Sequence, residues 1–558
     1  MFASRRALLL ALFLALPEMA MAAAPDVLPQ VQATEINLLR ALVQQGVLPE
    51  AKAQEMLRKA GMDPALLRDP SIVPPRSVQA APLPPPLLSP APPPGSILIP
   101  EETRKEIVEE VHQDVRAQAR AESWANKGSI PLWVQRLDLS GDVRLRYLRN
   151  DFAADNSPAS SVDSWYQLPA RTTVDTLDSH EHLQLRARLN MDAKINDSLR
   201  AGIRLVTAGG NDATASPVDY DVELGRYGRP FSAGLSLAYL QWHRGKLQLA
   251  GGRMPNPYFR SDLIFAPELS LDGASLSYEH ALLGPVSGFA AAGVHPLQTN
   301  QSGPFNTASG QWLYAAQAGL GWEAQNESRV RGAFAYYDFA GIQGSADPVN
   351  PANNNLNDKS APLFRQLGNT MFDLHYQVQN TTGIPNTPLF GYAAQFRLVN
   401  LGAEYEYARF DPLRLAMRLD WVRNVGFDAT EIRQRLGAYV NALPSASISG
   451  GVSHNGLNDA RTNGYLASLR MGASEVRQRG DWQLFGGARY LERDAVPDAF
   501  TSPDYRLGGT DNRAAFFGVV TGLSPSVNLT LRYVSARSID SGPKFGVDSL
   551  FVDIDARF

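Results

Sequence analysis

Cysteine is absent from all 558 residues, which excludes a disulfide scaffold, a thiolate zinc site, iron–sulfur ligation and a cysteine nucleophile. An excess of one charge is missing too. The chain carries 52 basic and 56 acidic residues for a net charge of −4, and no basic block offers the footprint of a nucleic-acid partner. Beyond the first residues there is no hydrophobic run long enough for a membrane-crossing helix, so a helical membrane bundle is excluded. Lysine almost disappears past Asp138, where only Lys194, Lys246, Lys359 and Lys544 remain. No phosphate loop or dinucleotide fingerprint occurs, and Gly451-Val452-Ser453-His454-Asn455-Gly456 fails the spacing of a nucleophile elbow. His180 and His182 flank Glu181 without an evident third metal ligand. No catalytic residue, metal or cofactor is therefore expected, and the chain does not read as an enzyme.

What is present falls into two regimes. Arg5 and Arg6, the apolar stretch Ala7–Leu16 and the small residues Ala20 and Ala22 to Ala24 read as a secretory signal peptide over residues 1–24. Residues 25–69 show helical spacing at Ile36, Leu39, Leu42 and Val43, a break at Pro49 and a stop at Gly61, which predicts a short helical hairpin. Residues 70–100 hold prolines at a density that prevents helix and disfavours sheet, making a linker. Residues 101–128 place Val108, Val111 and Val115 on one helical face, either a short coiled-coil seam or an amphipathic helix packed on its neighbour.

From Leu137 the period changes to two. Leu137, Leu139, Val143, Leu145 and Tyr147 alternate with Asp138, Ser140, Asp142, Arg144 and Arg146, so one face is apolar and the other charged. The pattern recurs at Leu183–Asp192, Leu413–Trp421 and Val527–Tyr533, and from Leu550 to the final Phe558. About eighteen such segments begin near residues 137, 182, 198, 233, 246, 271, 285, 311, 329, 395, 413, 432, 445, 463, 481, 512, 526 and 548. Long polar connections and tight turns alternate between them. Trp312 and Trp322, ten residues apart on one face, span roughly the ~25 Å between the aromatic girdles of a membrane barrel. The fold expected for residues 137–558 is all-β: a transmembrane antiparallel β-barrel of about 16–18 strands, preceded by a helical, Pro-rich periplasmic extension.

The stretch Ile99-Pro100-Glu101-Glu102 through Trp124, the strand opening Leu139-Ser140-Gly141-Asp142-Val143-Arg144-Leu145-Arg146, and Gly252-Arg253-Met254-Pro255-Asn256-Pro257 through Asp262-Leu263 resemble the putative porin family of Gram-negative bacteria. The terminal Phe558 looks like the last aromatic of such barrels. The resemblance implies an outer-membrane, water-filled channel for ions and small hydrophilic solutes, in contact with lipid and in some cases homotrimeric. A tether reaching the cell wall through the N-terminal helices and, more remotely, a barrel hydrolase are the alternatives.

If the apolar face meets lipid, the opposite face lines the lumen. Its candidate residues are Arg144, Arg146, Arg186, Arg188, Arg200, Arg204, Arg414, Arg418 and Arg532 with Asp142, Asp192 and Asp553. Guanidinium groups can draw anionic solutes or can pair with carboxylates to brace the wall, and both readings stand. The third long connection, Pro255 to Ser270, carries Tyr258, Arg260, Asp262 and Glu268. The resemblance to general porins implies that it folds inward as a constriction; the competing candidate is the longest connection, Ala340 to Ala394.

Overall fold

The computed structural model describes residues 136–166, 176–208, 216–225, 227–299, 310–348, 355–375, 389–410, 413–436, 460–540 and 543–558. The expected signal peptide, helical hairpin, Pro-rich linker and coiled-coil segment lie outside them.

Sixteen antiparallel strands form a closed barrel. They are β1 Leu137–Phe152, β2 His180–Lys194, β3 Leu199–Ala208, β4 Ser232–Arg244, β5 Leu247–Pro255, β6 Ser270–Leu283, β7 Val286–Gln298 and β8 Gln311–Glu323, then β9 Arg329–Ala340, β10 Phe396–Phe410, β11 Leu413–Asn424, β12 Asn463–Ala473, β13 Trp482–Leu491, β14 Asn512–Ser524, β15 Val527–Ser538 and β16 Gly546–Arg557. Each pairs with its sequence neighbours, and β1 pairs with β16. Closure leaves no unpaired barrel edge, the condition for a sheet to stand in lipid.

The period of two explains the wall. Leu139 is 59% and Leu145 48% exposed, whereas Arg146 is 7%, so the leucines point outward and the guanidinium inward. Trp312 and Trp322 share a face of β8, near its two ends. Connections after even-numbered strands are tight: Gly245 and Gly284, at φ +61° and +54°, adopt the left-handed conformation needed between β4 and β5 and between β6 and β7. Those after odd-numbered strands are mostly longer and gather at the other end.

At the seam the register sets Asp142 against Arg557, Arg144 against Asp555 and Arg146 against Asp553. Gly141 and Phe558 exchange backbone hydrogen bonds of 2.9 and 3.0 Å at its end. Among the described residues the barrel wall has sixteen strands, the lower end of the expected range, with only the two-residue strand Val222–Glu223 added against β2. Of the two surplus segments expected near 432 and 445, the first is a helix, Ala429–Leu436, and the second lies outside the described residues. Asp428 caps that helix, its Oδ1 accepting the Thr430 and Glu431 N–H groups at 2.8 and 3.1 Å.

A second departure lies at the long-connection end. There the inward residues of β8 to β13 are apolar: Leu313, Tyr337, Phe339, Phe396, Leu398 and Leu491 are all completely buried. They pack against Leu263 and Phe265 from the β5–β6 connection, Phe372, Leu374 and Tyr392 from the β9–β10 connection, and Ala495 and Val496 from the β13–β14 connection. From the connection Ala340 to Ala394, the competing constriction candidate, Phe372, Leu374 and Tyr392 thus contribute to a hydrophobic core inside the barrel mouth. A short hairpin within this connection, Met371–Asp373 with Phe390–Tyr392, orders this packing.

Candidate functional site

On β1, β2 and β16 the inward charges are interlocked. Arg146 donates in bidentate fashion to Asp553 at 2.7 and 2.9 Å and also to Asp221 at 2.8 Å. Arg144 shares Asp221, a loop residue, and Arg532 pairs with Asp504 from the β13–β14 connection. Asp142 accepts from Arg188 at 2.7 Å and from Arg186 at 3.3 Å. Glu268 accepts from the same two arginines, at 2.6 and 2.8 Å. Phe551 adds a ring under Arg532 and Arg146, 4.2 and 5.0 Å from their guanidinium carbons.

A second cluster stands on β10 to β12, well around the wall from the first. Arg414 pairs with Glu406 at 2.8 Å and Glu327 at 2.6 Å, while Arg418 and Arg470 share Glu404. The remaining candidates are less engaged. Arg204 donates to the neutral Asn190 at 2.6 Å. Arg200 and Asp192 are exposed near the tight-turn end and form no ion pair among the described residues.

Residues 256–269 join these clusters across the interior. Phe259 donates its N–H to Gln317 of β8 at 2.7 Å and accepts from the same amide at 2.8 Å. Ser261 donates to Asp420, and Arg418 donates to the Arg260 carbonyl at 2.9 Å, fixing the segment to β11. Ala266 donates its N–H to the Phe500 carbonyl at 2.7 Å, and Glu268 ends the crossing on β2. Arg260 folds back onto the carbonyls of Phe265, Ala266 and Pro267 at 3.2–3.4 Å, which holds the crossing as a compact arc. Tyr258 is buried rather than lumen-facing. Its hydroxyl meets His295 Nε2 at 2.9 Å and its ring packs edge-on to Tyr337. Asp262 is half-buried, and burial raises its carboxyl above the usual range against the opposing pull of Arg260.

Next to the two ends of this crossing the interior opens. A cavity of about 790 Å³ is lined by Asp219, Asp221, Arg253, Asp272, Gln298 and Phe500 among others. Another of about 210 Å³ is bordered by Asp262, Glu404, Arg418, Arg470 and Tyr505. Both offer charged and amide groups to a polar occupant. Asp221 and Asp504, which neutralise strand arginines, escaped the sequence reading because they lie in loops whose alternation carries no signal. His180 and His182 stand 6.2 Å apart between ring centroids, with His182 Nδ1 3.2 Å from Glu223; they gather no three-ligand cluster among the described residues.

A family model described as a putative porin matches residues 32–558. Among solved structures, the chain resembles OprB of Pseudomonas putida at 10% identity, covering 76% of this chain and 95% of that one, with a TM-score of 0.42. OmpF of Salmonella typhi, solved with daunomycin, is 12% identical over 76% of this chain and 97% of its own, with a TM-score of 0.38. The outer-membrane channel DcaP of Acinetobacter baumannii is 9% identical over the same shares, with a TM-score of 0.36. No curated protein matches the chain.

Proposed function

The chain belongs to the putative porin family, and from that premise we propose that it is an outer-membrane porin through which ions and small hydrophilic solutes diffuse passively. The observation that carries the reading is a closed sixteen-strand wall, leucine-rich outside and ionic inside, with residues 256–269 bonded to β2, β8 and β11 across its lumen; we assign that segment the role of constriction. A barrel of this strand number is wide enough for side chains to leave a water passage, and charges around a constriction set ion preference.

The pairing of the arginines decides how strong that preference is. Arg144, Arg146, Arg186, Arg188, Arg414, Arg418 and Arg532 each face at least one carboxylate, so the ladder chiefly braces the wall. Among the described residues Arg200 and Arg204 lack such a partner, and they give a mild anion bias. Planar-bilayer recording of the purified protein under a KCl gradient is expected to show steady openings with a small chloride-side reversal potential. Silence from folded, inserted protein overturns the channel reading. A homotrimer, and periplasmic contact of the N-terminal segment with the cell wall, complete the proposal; cross-linking of the native membrane tests both.

Opening should also depend on pH. Asp498 is completely buried between the β9–β10 and β13–β14 connections, where it accepts the Tyr392 hydroxyl, and burial pushes its carboxyl up to about 6. A pKa raised on loop docking favours the docked state below the undocked pKa near 4 and loses that contribution as pH rises through 6. Between pH 7 and pH 5 the open fraction is therefore expected to fall. Asp498→Asn, fixed in the neutral form, is expected to behave at pH 7 as the native chain does at pH 5.

A further inference from the structure

We propose that Asp347, Asp358 and His375, all in the β9–β10 connection, form a binding site for a divalent cation of the zinc type. His375 Nε2 lies 2.7 Å from Asp358 Oδ1 and 3.3 Å from Asp347 Oδ2, and one ligand atom from each residue falls within 4.8 Å of the others. The Asp347 side chain is 0% and that of His375 5% exposed, so two of the ligands are held inside the loop core; Asp358, at 37%, leaves the cluster open to solvent on one side.

The independent sign of a ligand is Asp347 itself. Its Oδ1 accepts the Asn357 N–H at 2.6 Å, but Oδ2 is buried, accepts no hydrogen bond among the described residues and faces the imidazole. A buried carboxylate oxygen left without a donor is costly, and a cation seated between it and the histidine removes that cost. With bonds of about 2.0–2.2 Å to nitrogen and oxygen, tetrahedral zinc holds its ligand atoms about 3.3–3.5 Å apart. The His375–Asp347 separation already matches. The His375–Asp358 separation must open slightly, which the exposed Asp358 side chain permits, and a water molecule supplies the fourth ligand. Imidazole in the donor set selects zinc over calcium or magnesium, which prefer oxygen alone. Binding displaces the proton that Nε2 would share with Asp358.

The three ligands come from the start of the connection, from the turn at Asp358–Ser360 and from just beyond Met371–Asp373. Since Leu374, next to His375, belongs to the core that fills the barrel mouth, the ion would fasten that core. The site stands apart from the charged clusters of the lumen and does not depend on the channel reading.

The test is titration of the EDTA-stripped full-length protein in detergent with Zn²⁺ against a chromophoric chelator. The expected result is one equivalent bound tightly, with little competition from Ca²⁺ or Mg²⁺. His375→Ala and Asp358→Asn are each expected to weaken binding by more than the ~10–100-fold that loss of an outer-shell partner costs. Asp358→Asn alters a partly exposed side chain, so its weakened binding would not reflect unfolding, and a heat-induced shift in gel mobility equal to that of the native chain confirms an intact barrel for both variants. Absence of stoichiometric zinc in the native chain, or binding undiminished in both variants, overturns the proposal. So does loss of binding in His180→Ala/His182→Ala with the loop variants unaffected.

Discussion

A barrel in which residues 256–269 are replaced by a turn of about two residues is expected to carry several-fold more current per channel than the native chain. The wall does not need those residues. Pro255 pairs directly with Ser270, so β5 and β6 can close as a tight hairpin. The lumen does need them if it is to be narrow, because the segment is bonded to β8, β11 and β2 in turn and borders both cavities. Its removal also takes Leu263, Ile264 and Phe265 out of the core at the mouth, loosening the connections packed on them. Unit conductance in a planar bilayer, with heat-modified gel mobility to show an intact barrel, reads the result. Unchanged conductance would mean that the narrow point lies elsewhere, with residues 341–395 the next candidate.

The second large effect is expected from one charge. Glu268→Gln should turn a weak anion preference into a marked one and lower stability by about 2 kcal/mol, the order expected for a charged hydrogen-bond acceptor lost from a partly buried pair. Arg186, almost wholly buried, then keeps Asp142 at 3.3 Å and Asp555 at 3.8 Å, and Arg188 keeps Asp142 alone. Two guanidinium groups that shared two near carboxylates would share one, leaving net positive charge at the end of the proposed constriction segment. The shift in reversal potential should be largest near 0.1 M salt and shrink at 1 M, as the Debye length falls from ~10 to ~3 Å. Asp197→Asn in the β2–β3 turn, where the carboxylate is almost fully exposed beside Lys194, provides the control expected to change nothing. Equal shifts in both variants would place the selectivity outside the constriction.

The wall was legible in the sequence because each strand had to satisfy lipid on one side and water on the other. Leu139 against Asp142 and Arg146, or Leu419 against Arg418, states both demands in a few residues. Where the inward face meets protein instead of water, that rule stops working. Tyr337 and Phe339 look inward at Phe265 and Phe500, and nothing local announces it. The helix at Ala429–Leu436 was misread as strand although Asp428 followed by Glu431 is a helix-start signal. Its apolar residues are too few to display either period clearly. The arginines of the site were visible, but their loop partners Asp221 and Asp504 were not, and those partners change an attracting ladder into a bracing lattice. Asp347, Asp358 and His375 lie too far apart in sequence to form a motif, and only folding of the connection joins them.

The charge pattern where β1 meets β16 bears on the order of assembly. A slip of two residues either way would set Arg144 against Arg557 or Asp142 against Asp555, so either misalignment brings like charges together. A slip of one would turn every side chain to the wrong surface. Only the native alignment matches all three pairs, and it unites residues as distant as Arg146 and Asp553, 407 positions apart. The first strand of the barrel thus waits for the last, since its second edge is paired, and Arg146 gains Asp553, only when β16 arrives. A chain that stops short of Leu550 has no smaller pore to fall back on, and quality control would meet it as an open sheet.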